Sequence, residues 1–160
     1  LKKAEVRQLY LDKVNSGYAD YMIDEIVEVL TDGCGCYYID VCMLDGKKVV
    51  RKMANSETVY LREKKNLKLL EKCPHTPNLI SCDDDEHILI MDYVGVALNK
   101  LHKKTEDRRQ YIPLIQKAFK KMEADFCLYH TDIKWGNITL LNGVVYFVDL
   151  ASIKVETLIK

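Results

Sequence analysis

His130-Thr131-Asp132-Ile133-Lys134-Trp135-Gly136-Asn137, followed by Val148-Asp149-Leu150, decides how this chain is read. The stretch gathers an acid, a lysine and an amide, with four residues between Asp132 and Asn137. A second acid, Asp149, follows twelve residues after Asn137, at the end of an apolar run. These are spacings that phosphoryl transfer can use, because that chemistry asks for positioned charge more than for covalent participation. Between the two clusters, Ile138 to Leu141 and Val144 to Val148 flank Asn142-Gly143, which reads as a strand pair around a tight turn.

Working outward, the chain has 160 residues, which implies one domain with a real core. Hydrophobic residues at 48% and charged residues at 30% mark a globular rather than a disordered composition. Lysine plus arginine equal aspartate plus glutamate at 24 each, so no global basic field argues for nucleic acid. Local lysines at Lys64-Lys65 and Lys117 to Lys121 read as solvated helix faces. The six cysteines do not form a secreted framework: Cys34 and Cys36 lie in a glycine turn, and Cys42, Cys73, Cys82 and Cys127 are scattered among apolar neighbours. Free thiols in a reducing compartment fit this pattern, and neither a C-x-x-C pair nor nearby histidines suggest zinc. No membrane-length apolar run and no signal peptide are visible. The chain opens on Leu1 rather than methionine, from which we expect that an N-terminal segment has been removed.

Residues 1–23 carry apolar positions at helical spacing (Val6, Leu9, Tyr10, Val14, Tyr18, Tyr21, Met22) and predict a helix. Ile26 to Leu30, Tyr37 to Met43 and Lys48 to Met53 predict three antiparallel strands, joined through Asp32-Gly33 and Asp45-Gly46. A helix from Ser56 to Cys73, with Ser56 as N-cap, ends at Pro74 and Pro77. Two strands, Leu79 to Ser81 and His87 to Val94, flank the acidic turn Asp83-Asp84-Asp85-Glu86. Leu98 to Lys104 and Asp107 to Leu128 predict helices. Neither repeats nor low-complexity segments interrupt the pattern.

This order, with its motifs, resembles that of protein kinases over about residues 24 to 153. His130 to Asn137 is similar to the kinase catalytic loop H-R-D-x-x-x-x-N, and Asp149-Leu150-Ala151 to D-F-G. The resemblance implies an α+β, bilobal kinase-like fold in a single minimal domain, 1–160. It comprises the N-terminal helix 1–23, an N-lobe of five antiparallel strands plus one helix (24–94) and a reduced, mainly helical C-lobe (95–160). Gly33 and Gly35, in Gly33-Cys34-Gly35-Cys36, would bring backbone N–H groups to the phosphates of ATP. The third glycine of G-x-G-x-x-G is missing, and Tyr38 in its place is expected to narrow or stiffen that loop. Lys52, in Val49-Val50-Arg51-Lys52, would face the α- and β-phosphates, with Glu63 as its carboxylate partner and Glu57 and Glu71 as runners-up. His75-Thr76-Pro77-Asn78-Leu79 resembles the segment linking that helix to the fourth strand. Met91 would be the gatekeeper, and the backbone of Asp92 to Val94 would meet the adenine edge. Asp132 is the expected catalytic base, Lys134 would neutralise the transferred phosphoryl group, and Asn137 and Asp149 would hold Mg²⁺. His130 is expected to be structural.

Three departures bear on function. Thr131 replaces the arginine of H-R-D, which argues against switching by activation-loop phosphorylation. Leu150-Ala151 replaces Phe-Gly, restricting the backbone after the metal ligand. Only nine residues follow Ala151, leaving no activation segment and no late helices. We therefore expect a naturally minimal kinase rather than a fragment. In size and missing elements it resembles the HopBF effector kinases, whose substrate is an Hsp90-type chaperone of the host. These resemblances imply an ATP- and Mg²⁺-dependent serine/threonine kinase acting on a protein, monomeric, cytoplasmic or secreted into a host cell, with neither nucleic acid nor membrane as partner. The alternative is a pseudokinase that serves as a protein-binding module. A third reading is a small-molecule phosphotransferase of the aminoglycoside or choline kinase type, against which Lys134 argues. Transfer of AMP instead of phosphate is also open to a kinase fold. Recognition of a protein substrate would use the N-terminal helix or the 95–112 region.

Overall fold

The computed structural model describes residues 23–30, 36–126, 128–130 and 133–155. The predicted N-terminal helix, the glycine turn with Gly33 and Gly35, and the pair Thr131-Asp132 lie outside the described residues. The chain divides into two compact units, residues 1–61 with 79–93, and residues 62–78 with 94–160.

The first unit is built on the antiparallel sheet that the sequence predicts. β1 (Ile23–Leu30), β2 (Cys36–Leu44), β3 (Lys47–Ala54), β4 (Leu79–Asp83) and β5 (Ile88–Asp92) form five strands in the order β1-β2-β3-β5-β4. The β2–β3 connection is set by Asp45 and Gly46, both at positive φ (50° and 74°), the two-residue turn whose twist matches antiparallel strands. That turn fixes the register, pairing Val41 with Val50, Asp40 with Arg51 and Ile39 with Lys52. Because side chains alternate across a sheet, Arg51 and Lys52 leave β3 on opposite faces. On the Arg51 side, Tyr38, Cys42, Val49, Ile88 and Ile90 form a buried core, with Val29, Leu44 and Met53 packed against it.

Helix α1 (Glu57–Leu69) begins where the sequence places its cap: the Val59 N–H donates to Ser56 Oγ at 3.2 Å. It stops well before Pro74. Lys72 takes a left-handed backbone (φ 71°), and its N–H faces Asn78 Oδ1 at 3.4 Å, so a turn rather than proline ends the helix. The acidic turn is closed by Asp83, whose Oδ1 accepts from the N–H groups of Asp85 and Glu86 at 3.0 Å each.

The second unit carries short elements around a hairpin. β6 (Val96–Ala97), α2 (Leu98–Leu101), α3 (Thr105–Arg108), a 3₁₀ turn (Arg109–Tyr111) and α4 (Ile112–Phe126) lead to β7 (Leu128–His130). A second 3₁₀ turn (Trp135–Asn137), β8 (Ile138–Leu141), β9 (Val144–Phe147), a third turn (Leu150–Ser152) and β10 (Ile153–Val155) complete the described chain. The Asn142-Gly143 turn, again at positive φ in both residues, closes β8 on β9. α4 buries Ile115, Ala118 and Met122 at helical spacing, and Phe119 meets Phe147 edge-on at 6.2 Å. The predicted helix over 98–104 is only one turn long, and that over 107–128 is split. Arg108 holds this region by donating to the carbonyls of His102 and Lys103, at 2.7 and 2.9 Å. No described helix is long and apolar enough to cross a membrane.

Candidate active site

The β8–β9 hairpin sets the backbone at the two expected metal ligands close together. Ile138 pairs with Phe147, so the residues flanking that pair, Asn137 and Val148, lie side by side. The Val148 N–H donates to the Asn137 carbonyl at 2.9 Å, and Asp149 is the next residue. The backbones of Asn137 and Val148 thus meet at one end of the hairpin, with Asp149 one residue beyond. Asn137 is itself fixed from behind, its N–H donating to the Lys134 carbonyl at 2.9 Å. Lys134 is exposed, while Asn137 and Asp149 are half-buried. Asp149 adopts a left-handed backbone, φ 62°. Outside glycine that region is sparsely used, though aspartate and asparagine tolerate it best, and such residues cluster at functional sites.

Flanking strands frame this end. β7 pairs with β10, setting the backbone of His130 against that of Ile153. The chain entering the catalytic-loop motif therefore lies against the chain leaving Asp149. The His75 segment lines the hairpin edge: the Phe147 N–H donates to the His75 carbonyl at 2.8 Å, and His75 Nδ1 lies 2.9 Å from the Val145 carbonyl oxygen.

Asn66 is a residue the sequence reading passed over. It is 5% exposed on α1, and its Nδ2 donates to the Leu150 carbonyl at 2.6 Å. α1 buries Tyr60, Glu63, Asn66 and Leu67, so two polar groups sit in an otherwise apolar stripe. Glu63 is 1% exposed, whereas Glu57 and Glu71 are exposed. A buried carboxylate is costly unless compensated, so Glu63 is not an ordinary solvated helix residue. Lys52 is 5% exposed, in register with Ile39 on β2 and Leu89 on β5.

At the end of β5, Met91 is buried and Asp92 accepts from Lys47 Nζ at 3.1 Å. Lys48 Nζ lies over the Tyr93 ring, 5.3 Å from its centroid. In the second unit, Val94 is 6% exposed and its carbonyl accepts from Thr139 Oγ1 at 2.6 Å. Gly95 follows at φ 98°, and a Cβ there would fall 2.0 Å from the Leu140 oxygen, so only glycine fits. Farther along, a Cβ at Gly136 would come within 3.1 Å of Asn99 Nδ2, which places α2 against the Trp135–Asn137 turn.

Tyr38 corrects an expectation. Its side chain is 2% exposed in the core, and its hydroxyl donates to Asp40 Oδ2 at 3.0 Å. It is turned into the sheet rather than toward nucleotide. Asp40 and Arg51 are both fully buried and joined by two hydrogen bonds, Nε to Oδ1 at 3.0 Å and a terminal guanidinium nitrogen to Oδ2. Close by, burial pushes the Cys42 thiol from 9.0 up to about 11, with the Asp40 charge adding and Arg51 opposing. Tyr60 is likewise held far above the usual phenol range, first by burial and then by its 2.5 Å hydrogen bond to Asp84. Among the described residues Cys42, Cys73 and Cys82 are free thiols, and no three His, Cys, Asp or Glu side chains gather as a metal site.

A family model for the RIO domain matches residues 37–157, most of the chain, and the chain belongs to the RIO-domain family. RIO domains are atypical protein-kinase-like domains, so the fold is a reduced kinase-like α+β fold with ATP-binding phosphotransfer as its class of activity. This membership supports the kinase-like reading and does not extend to the HopBF effector type. No curated protein matches the chain.

The family implies ATP with a divalent metal. The residues present fit that pair: the hairpin end offers one amide and one carboxylate, hard oxygen donors, and a small dication commonly takes its remaining ligands from phosphate and water.

Proposed function

We propose that the protein transfers the terminal phosphoryl group of ATP to a serine or threonine hydroxyl of a protein, with Mg²⁺ as the cation. The observation that carries this reading is the backbone pairing of Asn137 with Val148 at the end of the β8–β9 hairpin, which puts Asp149 one residue from Asn137's neighbour. Bound there, Mg²⁺ would supply charge neutralisation on the phosphates. Asp149 and Asn137 would hold the cation. Exposed Lys134 stands two residues after Asp132, where it can balance charge on the moving phosphoryl group while Asp132 accepts the hydroxyl proton. The kinase resemblance assigns Lys52 to the α- and β-phosphates and the Asp92 backbone to the adenine edge. The resemblance assigns the Val94 backbone there as well, and its carbonyl accepts from Thr139 Oγ1. Gly33 and Gly35 are assigned to the phosphates on sequence alone.

Lys134 supports a protein hydroxyl acceptor, since it is the feature that separates this loop from small-molecule phosphotransferases. The test is transfer of label from γ-labelled ATP to protein in a eukaryotic lysate with Mg²⁺, run beside Lys52→Ala and Asp149→Asn. Asparagine is the better replacement because it tolerates the left-handed backbone that alanine does not. A discrete labelled band lost in both variants is the expected result. No transfer and no Mg²⁺-dependent ATP binding would instead leave the protein-binding pseudokinase.

A further inference from the structure

Asp149 is bracketed by two hydrogen bonds that it does not itself make. Before it, the Val148 N–H is held by the Asn137 carbonyl at 2.9 Å; after it, the Leu150 carbonyl is held by Asn66 Nδ2 at 2.6 Å. The Leu150 side chain is 1% exposed, so the residue after Asp149 is anchored through both its apolar side chain and its carbonyl. Between these clamps Asp149 keeps φ 62°, a conformation that persists only where the surroundings over-determine it.

We propose that Asn66 is a positioning residue: by donating from its side-chain amide to the Leu150 carbonyl, it fixes the Asp149 backbone and thereby aims the cation-binding carboxylate. This rests on the reading of Asp149 as a cation ligand given above. Asparagine is a mediocre helix former, and its amide is costly to bury without a partner, so helix stability and apolar packing both disfavour it at this place. The Leu150 carbonyl, 84 residues away in sequence, supplies the compensating bond. Without it, the Asp149 backbone loses one of the two restraints that flank it, and with it the aim of the carboxylate. Outer partners of metal ligands act in this way on affinity rather than on chemistry.

The test uses the full chain and Mn²⁺ as the probe. Trp135 is the single tryptophan, in the turn that ends at Asn137, so its emission reports a paramagnetic ion bound beside it. Mn²⁺ is titrated in the presence of ATP into the wild type, Asn66→Leu, Asn66→Gln and Asp149→Asn. Asn66→Leu keeps the branching and removes the donor; it should weaken Mn²⁺ binding about 10-fold or more while metal-free ATP binding is unchanged. Asn66→Gln, which keeps an amide donor, should recover part of that loss.

If Asn66→Leu titrates like the wild type while Asp149→Asn loses the ion, the positioning role is refuted and the cation reading stands. If Asp149→Asn also titrates like the wild type, the cation reading falls and the proposal with it. Should Asn66→Leu not fold, Asn66→Ser, whose hydroxyl stops short of the carbonyl, is read in the same way. Equal loss of Mn²⁺ and metal-free ATP binding in a folded variant indicates general loosening and overturns the proposal.

Discussion

Replacing Arg51 with methionine removes one member of a buried charge pair and tests how the sheet carrying Lys52 is held. Both Arg51 and Asp40 are fully buried, and Asp40 accepts twice from the guanidinium and once from the Tyr38 hydroxyl. In Arg51→Met the carboxylate keeps only the tyrosine, in a core of Cys42, Val49, Ile88 and Ile90. Breaking a buried pair from one side costs about 3–5 kcal/mol, because an uncompensated charge stays behind. That is a large part of a total stability of about 5–15 kcal/mol. For a chain of this length it corresponds to a fall in Tm of roughly 6–20 °C. Replacing both partners, Asp40→Leu with Arg51→Met, leaves no buried charge and should recover most of the loss. The assay is urea unfolding followed by circular dichroism on the wild type, both singles and the double. An Arg51→Met cost below about 1 kcal/mol, the range of exposed pairs, would refute the reasoning. So would a double variant as unstable as the two singles summed.

Gly95→Ala should destabilise by about 2–4 kcal/mol, since the new Cβ collides with the Leu140 carbonyl at an already left-handed residue. Faster amide exchange at Val96 and Ala97, which pair with Leu140 and Thr139, would locate the damage. Thr139→Val keeps the shape but strands the buried Val94 carbonyl, at a cost of about 1–3 kcal/mol in urea unfolding. Cys42 makes the protein sensitive to alkali. Its folded pKa lies above its unfolded one, so its contribution is complete below pH 9.0 and is lost as pH rises toward about 11. The stability difference between wild type and Cys42→Ala should move against the wild type by up to about 3 kcal/mol across that window. A difference independent of pH would contradict it.

The parts legible in the sequence are those that local chemistry decides. Asp45-Gly46 and Asn142-Gly143 announce their hairpins because only such residues accept two consecutive left-handed conformations. Ser56 announces the start of α1 through its hydroxyl. The β8–β9 strand pair, which sets Asn137 beside Val148, was legible too, since a tight turn at Asn142-Gly143 leaves little choice of where the strand ends meet. Counting outward from Asp45-Gly46 would likewise have paired Asp40 with Arg51, a signal present but not followed.

What stayed illegible depends on distant partners. β6, β7 and β10 are two or three residues long and exist only because β8, β10 and β7 respectively are there to pair with them. α4 looked longer because Leu128 continues its apolar spacing, yet the chain switches there to β7, against β10. Tyr38 falls both in the predicted strand and at the third-glycine position of the loop motif, and its strand alternation sends it to the core beside Asp40. Asn66 gave no local signal at all, because its partner lies 84 residues on.

The most direct test of the account is calorimetric titration of ATP, with and without Mg²⁺, into the wild type and Asp149→Asn. The account expects Mg²⁺ to tighten ATP binding in the wild type and to add nothing in Asp149→Asn, while metal-free binding is the same in both. An Mg²⁺ increment that survives intact in Asp149→Asn, or a wild type that does not bind ATP, would contradict it.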